Sequence, residues 1–158
     1  MDPSFLEDCQ KGFGLAPMNV RVTPYLLSCV DWDNPYEDPI RVQFLPVASR
    51  RKPDHPRLAL DSLHEQDDSP TPGLVHRYPD RVLLLLSDFC STYCRYCTRS
   101  RVVGHGSIHP SRNRLERAFA YIEQTPAIRD VLLSGGDPLM LGEEKLSWVM
   151  SRLRQISH

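Results

Sequence analysis

Apolar and polar positions change character near residue 78. From Arg81 to Ser87 the chain runs RVLLLLS, a continuous apolar stretch bounded by Pro79-Asp80 and Asp88. At this length it fits a strand buried on both faces, as in a parallel sheet. Leucine is a weak strand former, so periodicity alone leaves a buried helix open. From Ser111 to Gln124 the apolar residues Leu115, Ala118, Phe119 and Ile122 form the i, i+3, i+4, i+7 stripe of an amphipathic helix. His109-Pro110-Ser111 predicts its start and Thr125-Pro126 its stop. Arg129 to Ser134 (RDVLLS) predicts a second strand. Glu143 to Ile156 predicts a second helix, with Leu146, Val149, Met150, Leu153 and Ile156 on one face. Two acids open it and two arginines lie near its end, as the helix dipole prefers. The order β, loop, α, β, loop, α implies an α/β protein with a parallel sheet and right-handed crossovers. Two such units complete neither a sheet nor a barrel. The sequence stops at Ile156-Ser157-His158, where a third strand is expected, so the pattern implies a truncated chain, the front part of a larger α/β protein.

The first 80 residues read differently. They hold eleven of the 14 prolines, and WDNPYEDPIRVQFLP and RRKPDHPRLALD space them too closely for long helices or central strands. Leu63 to Gly73 (LHEQDDSPTPG) is acidic and turn-rich and predicts a loop. Tyr25, Leu26, Leu27, Val30, Trp32, Phe44, Leu45 and Val47 are too much apolar material for simple disorder. The expectation is an irregular, Pro-rich arm of short helices over residues 1–75, packed on an α/β domain that begins at residues 76–158.

Composition narrows the classes. The chain has 158 residues, 41% apolar and 25% charged, with a net charge of −1. No apolar run reaches the roughly 18–20 residues of a membrane helix, and near-zero charge argues against a nucleic-acid binder. MDPSFLEDCQKGFG shows no secretory pattern, and the expectation is a cytoplasmic protein with reduced thiols.

Three of the five cysteines fall at Cys90, Cys94 and Cys97, a C-x3-C-x2-C spacing just after the first strand. Three thiolates on one tight loop can hold three irons of a [4Fe–4S] cube and leave the fourth open to a non-protein ligand. A structural zinc site is the alternative, with Cys9, Cys29, His105 or His109 as fourth ligand; three unrelated buried cysteines is another. His105 and His109 flank a glycine-bearing loop and read as loop residues. The second strand runs into Ser134-Gly135-Gly136-Asp137-Pro138, where paired glycines permit a close approach to the backbone. Alone, that motif reads as a plain turn. After a neighbouring parallel strand it becomes a candidate second wall of one pocket, because α/β proteins place sites at the C-terminal ends of their strands.

C-x3-C-x-aromatic-C followed by a Gly-Gly motif resembles the radical S-adenosylmethionine superfamily. That resemblance implies a partial (β/α) barrel, an open iron chelated by S-adenosylmethionine, and cleavage of its sulfonium to a 5′-deoxyadenosyl radical. Tyr96 would pack near the adenosyl moiety, and Ser134, Gly135, Gly136 and Asp137 would form the loop at the methionyl end. HRYPDRVL at 76–83, CTRSR at 97–101 and DVLLSGGDPL at 130–139 further resemble the lysine 2,3-aminomutase family. Thr23-Pro24-Tyr25 and Asp38-Pro39-Ile40-Arg41 resemble its arm. This implies a pyridoxal 5′-phosphate enzyme that moves an amino group from the α to the β carbon of an amino acid. Arg77 and Arg81 would contact the pyridoxal phosphate group, and Arg99 the substrate carboxylate. Outside that resemblance each arginine reads as a solvated surface residue.

Tyr96 stands where the best-known lysine aminomutases carry histidine. The family's pyridoxal lysine, its acids for a lysine ammonium and its zinc cysteines have no counterpart in these residues; Lys145, Lys11 and Lys52 are no substitutes. The resemblance implies a small-molecule amino acid substrate, an electron donor such as flavodoxin or ferredoxin, and completion by a C-terminal half or a homo-oligomer. Related glutamate or elongation-factor-P-lysine aminomutases, and a non-catalytic zinc or iron–sulfur module, are the other expectations. An unpartnered sheet edge predicts poor solubility for the chain alone.

Overall fold

The structure is a computed structural model that describes residues 2–59, 61–106 and 111–158. Its first three helices start by one device. An acid or threonine caps the first turn and proline follows at the first helical position, where its missing N–H is no loss. In α1 (Pro3–Leu15) Asp2 accepts from the Ser4 N–H at 2.9 Å. In α2 (Pro24–Ser28) Thr23 accepts from Leu26 at 3.3 Å. In α3 (Pro39–Phe44) Asp38 accepts from Arg41 at 2.6 Å. Prolines that read as helix breakers are therefore helix starters, and α1 runs for 13 residues in a region expected to hold only short helices. Phe5 and Cys9 of α1 bury against Val47, with Tyr36 edge-on to Phe5 at 5.1 Å.

The sheet has three strands in the order β1-β2-β3: β1 (Leu74–Tyr78), β2 (Arg81–Ser87) and β3 (Asp130–Gly135). β2 and β3 are parallel, with Leu83 opposite Leu132, and α4 (Arg112–Glu123) is the crossover between them. β1 is a correction to the sequence expectation. It pairs antiparallel with β2 through a tight turn at Pro79-Asp80, so the sheet is mixed and not wholly parallel. Its five residues, LVHRY, sit between PTPG and PD, and such punctuation reads as loop. A hydrogen bond between His76 Nδ1 and the Tyr121 hydroxyl, 2.8 Å, fastens β1 to α4.

Alternation along β2 divides its two faces. Val82, Leu84 and Leu86 pack with Leu115, Ala118, Phe119 and Ile122, the four residues of the predicted α4 stripe, and with Ile128 and Val149. Leu83 and Leu85 fall on the other face with Val75. α5 (Glu143–Arg154) buries Val149 fully and sets Leu146 and Leu153 against the same core, while Met150 stays exposed. Ser111 caps α4 through the Arg114 N–H at 3.3 Å; the expected start at His109-Pro110 lies outside the described residues. Among the described residues β3 has no second neighbour, and Leu132 remains 49% exposed. No helix there is long and apolar enough to cross a membrane.

Candidate functional site

The loop that leaves β2 carries the three cysteines, and the arm holds it in place. The Tyr93 N–H donates to the Arg21 carbonyl at 2.9 Å and the Arg95 N–H to the Gln43 carbonyl at 2.7 Å. The Gly104 N–H donates to the Asp88 carbonyl at 2.7 Å, closing the loop on itself. Inside, Tyr93 buries against Met18 and Val103, with Cys90 and Cys97 beside them. The Arg21 guanidinium covers the Phe89 ring at 4.1 Å. The irregular half of the sequence thus has a local task, which is to fix the shape of the cysteine loop.

Cys90, Cys94 and Cys97 are all free thiols and all half-buried. Burial pushes the Cys90 thiol up; the Asp137 backbone N–H pulls it down, and the charges of Cys97, Asp137 and Cys94 push it further up. Burial likewise raises Cys94, with Cys97 adding to it. Cys90 and Cys94 thus resist ionisation beside their neighbouring thiols, and a bound cation would relieve that resistance; together with Cys97 they make a set of three sulfur donors. In kind they fit a [4Fe–4S] cube held by three cysteines. Among the described residues no three His, Cys, Asp or Glu side chains converge closely enough to hold a metal ion as they stand. A zinc site would need a fourth ligand. Cys9 is buried on α1 against Val47 instead, Cys29 is exposed, the His105 Nε2 faces the Ser100 carbonyl at 3.1 Å, and His109 lies outside the described residues.

The end of β3 lies directly against this loop. The Gly136 N–H donates to the Ser87 carbonyl and the Asp137 N–H to the Phe89 carbonyl at 2.9 Å. Gly135 takes φ +110°, a left-handed conformation that favours glycine. A Cβ on Gly136 would stand 2.6 Å from the Phe89 carbonyl oxygen. The close approach that the glycines permit is to the protein's own backbone, so Ser134-Gly135-Gly136-Asp137 and Cys90 form one unit. The Asp137 carboxylate caps the turn that follows by accepting from the Leu139 N–H at 2.9 Å. Tyr96 is 68% exposed, and its hydroxyl donates to Gln43 Oε1 at 3.4 Å.

Arg77 and Arg81 of the β1-β2 hairpin and Arg99, from beyond the cysteines, line one cleft of about 250 Å³ with Val75, Leu83 and Leu132. Arg77 donates to the Leu63 carbonyl at 3.0 Å, and Arg81 makes a two-pronged contact with Asp80 at 2.9 and 3.0 Å. Both are exposed. Arg99 is not: it pairs with the buried Glu65 at 2.8 Å, and its Nε is buried without a partner. Glu65 also takes Arg101 at 3.2 Å, and Arg101 reaches Asp61 at 3.1 Å. The acidic stretch read as a plain loop is therefore the counter-charge of the Arg99-Ser100-Arg101 run. Complementary signs in the two segments were the only sequence signal for it.

No protein-family model matches the chain. An L-lysine 2,3-aminomutase from Acetoanaerobium sticklandii is 48% identical over 147 residues, which is 91% of this chain and 34% of that protein. Another, from Clostridium subterminale, is 48% identical over 141 residues, 89% of this chain and 33% of that protein. The chain is homologous to the lysine 2,3-aminomutases. A glutamate 2,3-aminomutase from Clostridioides difficile is more distant, 34% identical over 137 residues, 87% of this chain and 32% of that protein. The chain spans about a third of the length of these curated relatives.

Proposed function

We propose that this chain is the cluster- and cofactor-binding portion of an isomerase of the lysine 2,3-aminomutase type, built on the opening units of a radical S-adenosylmethionine barrel. The observation that carries this reading is the joining of the cysteine loop to the Gly135-Gly136-Asp137 turn, together with a cleft that gathers two arginines of the β1-β2 hairpin and Arg99. Cys90, Cys94 and Cys97 would hold the [4Fe–4S] cluster. Ser134 to Asp137 would face S-adenosylmethionine, with Tyr96 at its adenosyl end. When bound, the cluster supplies single electrons, and the hard chemistry belongs to the cofactors.

The chain's own residues bind and orient. Arg77 and Arg81 would hold the phosphate of pyridoxal phosphate, since exposed guanidiniums on one turn give planar, charge-assisted donors. Arg99 would orient the substrate carboxylate, because its Nε lies buried without a partner beside the cleft. Val75, Leu83 and Leu132 would exclude water from the cleft wall. Identity of 48% to lysine enzymes against 34% to a glutamate enzyme favours lysine as the substrate. The lysine that carries the pyridoxal, an electron donor and the remaining walls of the site would come from outside these residues.

Anaerobic reconstitution with iron and sulfide, followed by electron paramagnetic resonance of the reduced chain, tests this. The expected result is a [4Fe–4S] signal that changes on adding S-adenosylmethionine and vanishes in Cys94→Ala. One zinc per chain with no sulfide, or a cluster blind to S-adenosylmethionine, would refute it.

A further inference from the structure

A second cleft, of about 320 Å³, lies between α1 and the segment 41–54. It shares no lining residue with the cleft of Arg77, Arg81 and Arg99. Five cations line it, Arg41, Arg50, Arg51, Lys52 and Arg95, against one acid, Asp54. Two of the cations are engaged. Arg41 is buried and donates to the Pro35 carbonyl at 2.6 Å and the Leu45 carbonyl at 3.2 Å. Arg50 pairs with Glu37. Arg51 stands 3.8 Å from Asp54, a loose contact. Lys52 and Arg95 have no side-chain hydrogen bond or ion pair among the described residues.

Arg95 is the unusual member. Its backbone is pinned to Gln43 at 2.7 Å, and its half-buried guanidinium sits in the wall of a concavity with no counter-charge. A long cation with no partner normally extends into water, where hydration is complete. Held here, it adds to the field of Arg51 and Lys52 inside low-dielectric walls, which focus that field on whatever enters.

We propose that this cleft is a binding site for a small phosphate-class anion carrying at least two negative charges, held by Arg95 and Lys52 with Arg51 recruited from its loose pair. Guanidinium groups take phosphate oxygens two at a time, and an ammonium adds a point charge. A singly charged anion would leave most of the excess positive charge unmet. The volume of about 320 Å³ suits a small ligand. Arg95 lies between Cys94 and Tyr96 on the cysteine loop, but no cluster ligand and no residue of the other arginine cleft lines this site, so the proposal is tested on the cluster-free chain and does not need the aminomutase reading.

Calorimetric titration of the chain at low salt with pyrophosphate, and separately with adenosine diphosphate, tests it. Saturable binding with one equivalent that depends on Arg95 is expected, weakening as salt is raised. Similar affinities for the two probes identify an inorganic ligand, and a clear preference for the nucleotide identifies a nucleoside diphosphate. Arg95→Gln should weaken binding by about tenfold or more, the loss of one charge-assisted contact. Lys52→Gln, at an exposed position that folding does not need, should weaken it severalfold. The double variant Arg77→Gln/Arg81→Gln, which removes the phosphate contacts proposed for the other cleft, should leave the Arg95-dependent part of the binding unchanged. No saturable binding, or binding lost in the double variant and retained in Lys52→Gln, would overturn the proposal. Failure of cluster assembly would leave this result untouched.

Discussion

Glu65 and Arg99 meet at 2.8 Å with both side chains largely withdrawn from water, at 8% and 18% exposure. The same carboxylate serves Arg101 through its other oxygen. Removing one member of a buried ion pair leaves a charge without its partner, and this costs more than the pair contributes. Glu65→Gln is therefore expected to destabilise the fold by about 3 kcal/mol, read as a lowered midpoint in urea. Arg101 would keep Asp61, so Arg99 bears most of the loss. A midpoint within error of the parent would show that the pair is solvated in solution.

The Gly-Gly turn makes a second prediction with an internal control. In Gly136→Ala the new Cβ would meet the Phe89 carbonyl oxygen at 2.6 Å and the Phe89 nitrogen at 2.7 Å. Both are backbone atoms, so relief requires breaking the bond from the Asp137 N–H. A loss of about 2 kcal/mol is expected, in the range of overpacked sites. Gly14 in α1 has nothing within 4 Å of the same atom, and Gly14→Ala should stabilise by about 0.5 kcal/mol through lost chain entropy. Equal effects in both variants would contradict the packing described here.

Asp38 predicts a pH dependence. The Arg41 backbone N–H holds its carboxyl below the ordinary carboxylate range; burial opposes this, and the N–H groups of Asp31 and Ile40 and the charge of Arg41 reinforce it. A carboxyl depressed in the folded state binds its proton more readily when unfolded. Its stabilising effect is complete above the unfolded pKa of about 4 and is lost as pH falls through the lower folded value. Urea midpoints of the parent should fall over that acid range, and those of Asp38→Asn should fall less. A variant that follows the parent curve would remove Asp38 from the account.

Thiol reactivity should separate Cys29, Cys9, Cys90 and Cys94. The thiolate is the nucleophile, so burial slows alkylation both by blocking access and by keeping the proton on sulfur. Cys29 is exposed and should react first with iodoacetamide under reducing, metal-free conditions. Cys9 is buried, with its thiol pushed up chiefly by burial, and should react last. Cys90 and Cys94, half-buried and raised, belong between them. Mass spectrometry of timed samples gives the order, and a fast Cys9 would mean that α1 detaches readily.

Elements whose signal is local were legible in the sequence. β2, α4, β3 and α5 each carry enough apolar pattern to be placed within a few residues. β1 was not legible, because five residues between turn signals have too short a period to stand out. Short helices in the arm were expected, but their starts and the 13-residue length of α1 were not, because proline breaks a helix in its interior and begins one at its first residue, and only the preceding cap distinguishes the two cases. The cysteine spacing was plain, but its supports were not: Tyr93 on Met18, Arg95 on Gln43 and Glu65 on Arg99 all join segments far apart in the chain. Nothing in a one-dimensional pattern says which loop an acid will reach.

The hairpin at Pro79-Asp80 has a consequence for the order of assembly. β1 and β2 need close only a two-residue turn to pair, an event of about 1–10 μs for a hairpin. β2 and β3 can pair only after the whole cysteine loop and α4 have been folded back between them. Arg77 and Arg81 ride on that early hairpin, whereas Cys90 gains the Asp137 N–H only with the late parallel closure. The arginine-bearing wall can thus exist as a unit before the cysteine loop has its final shape, and a metal that arrives too soon would meet thiols not yet fixed by their neighbours.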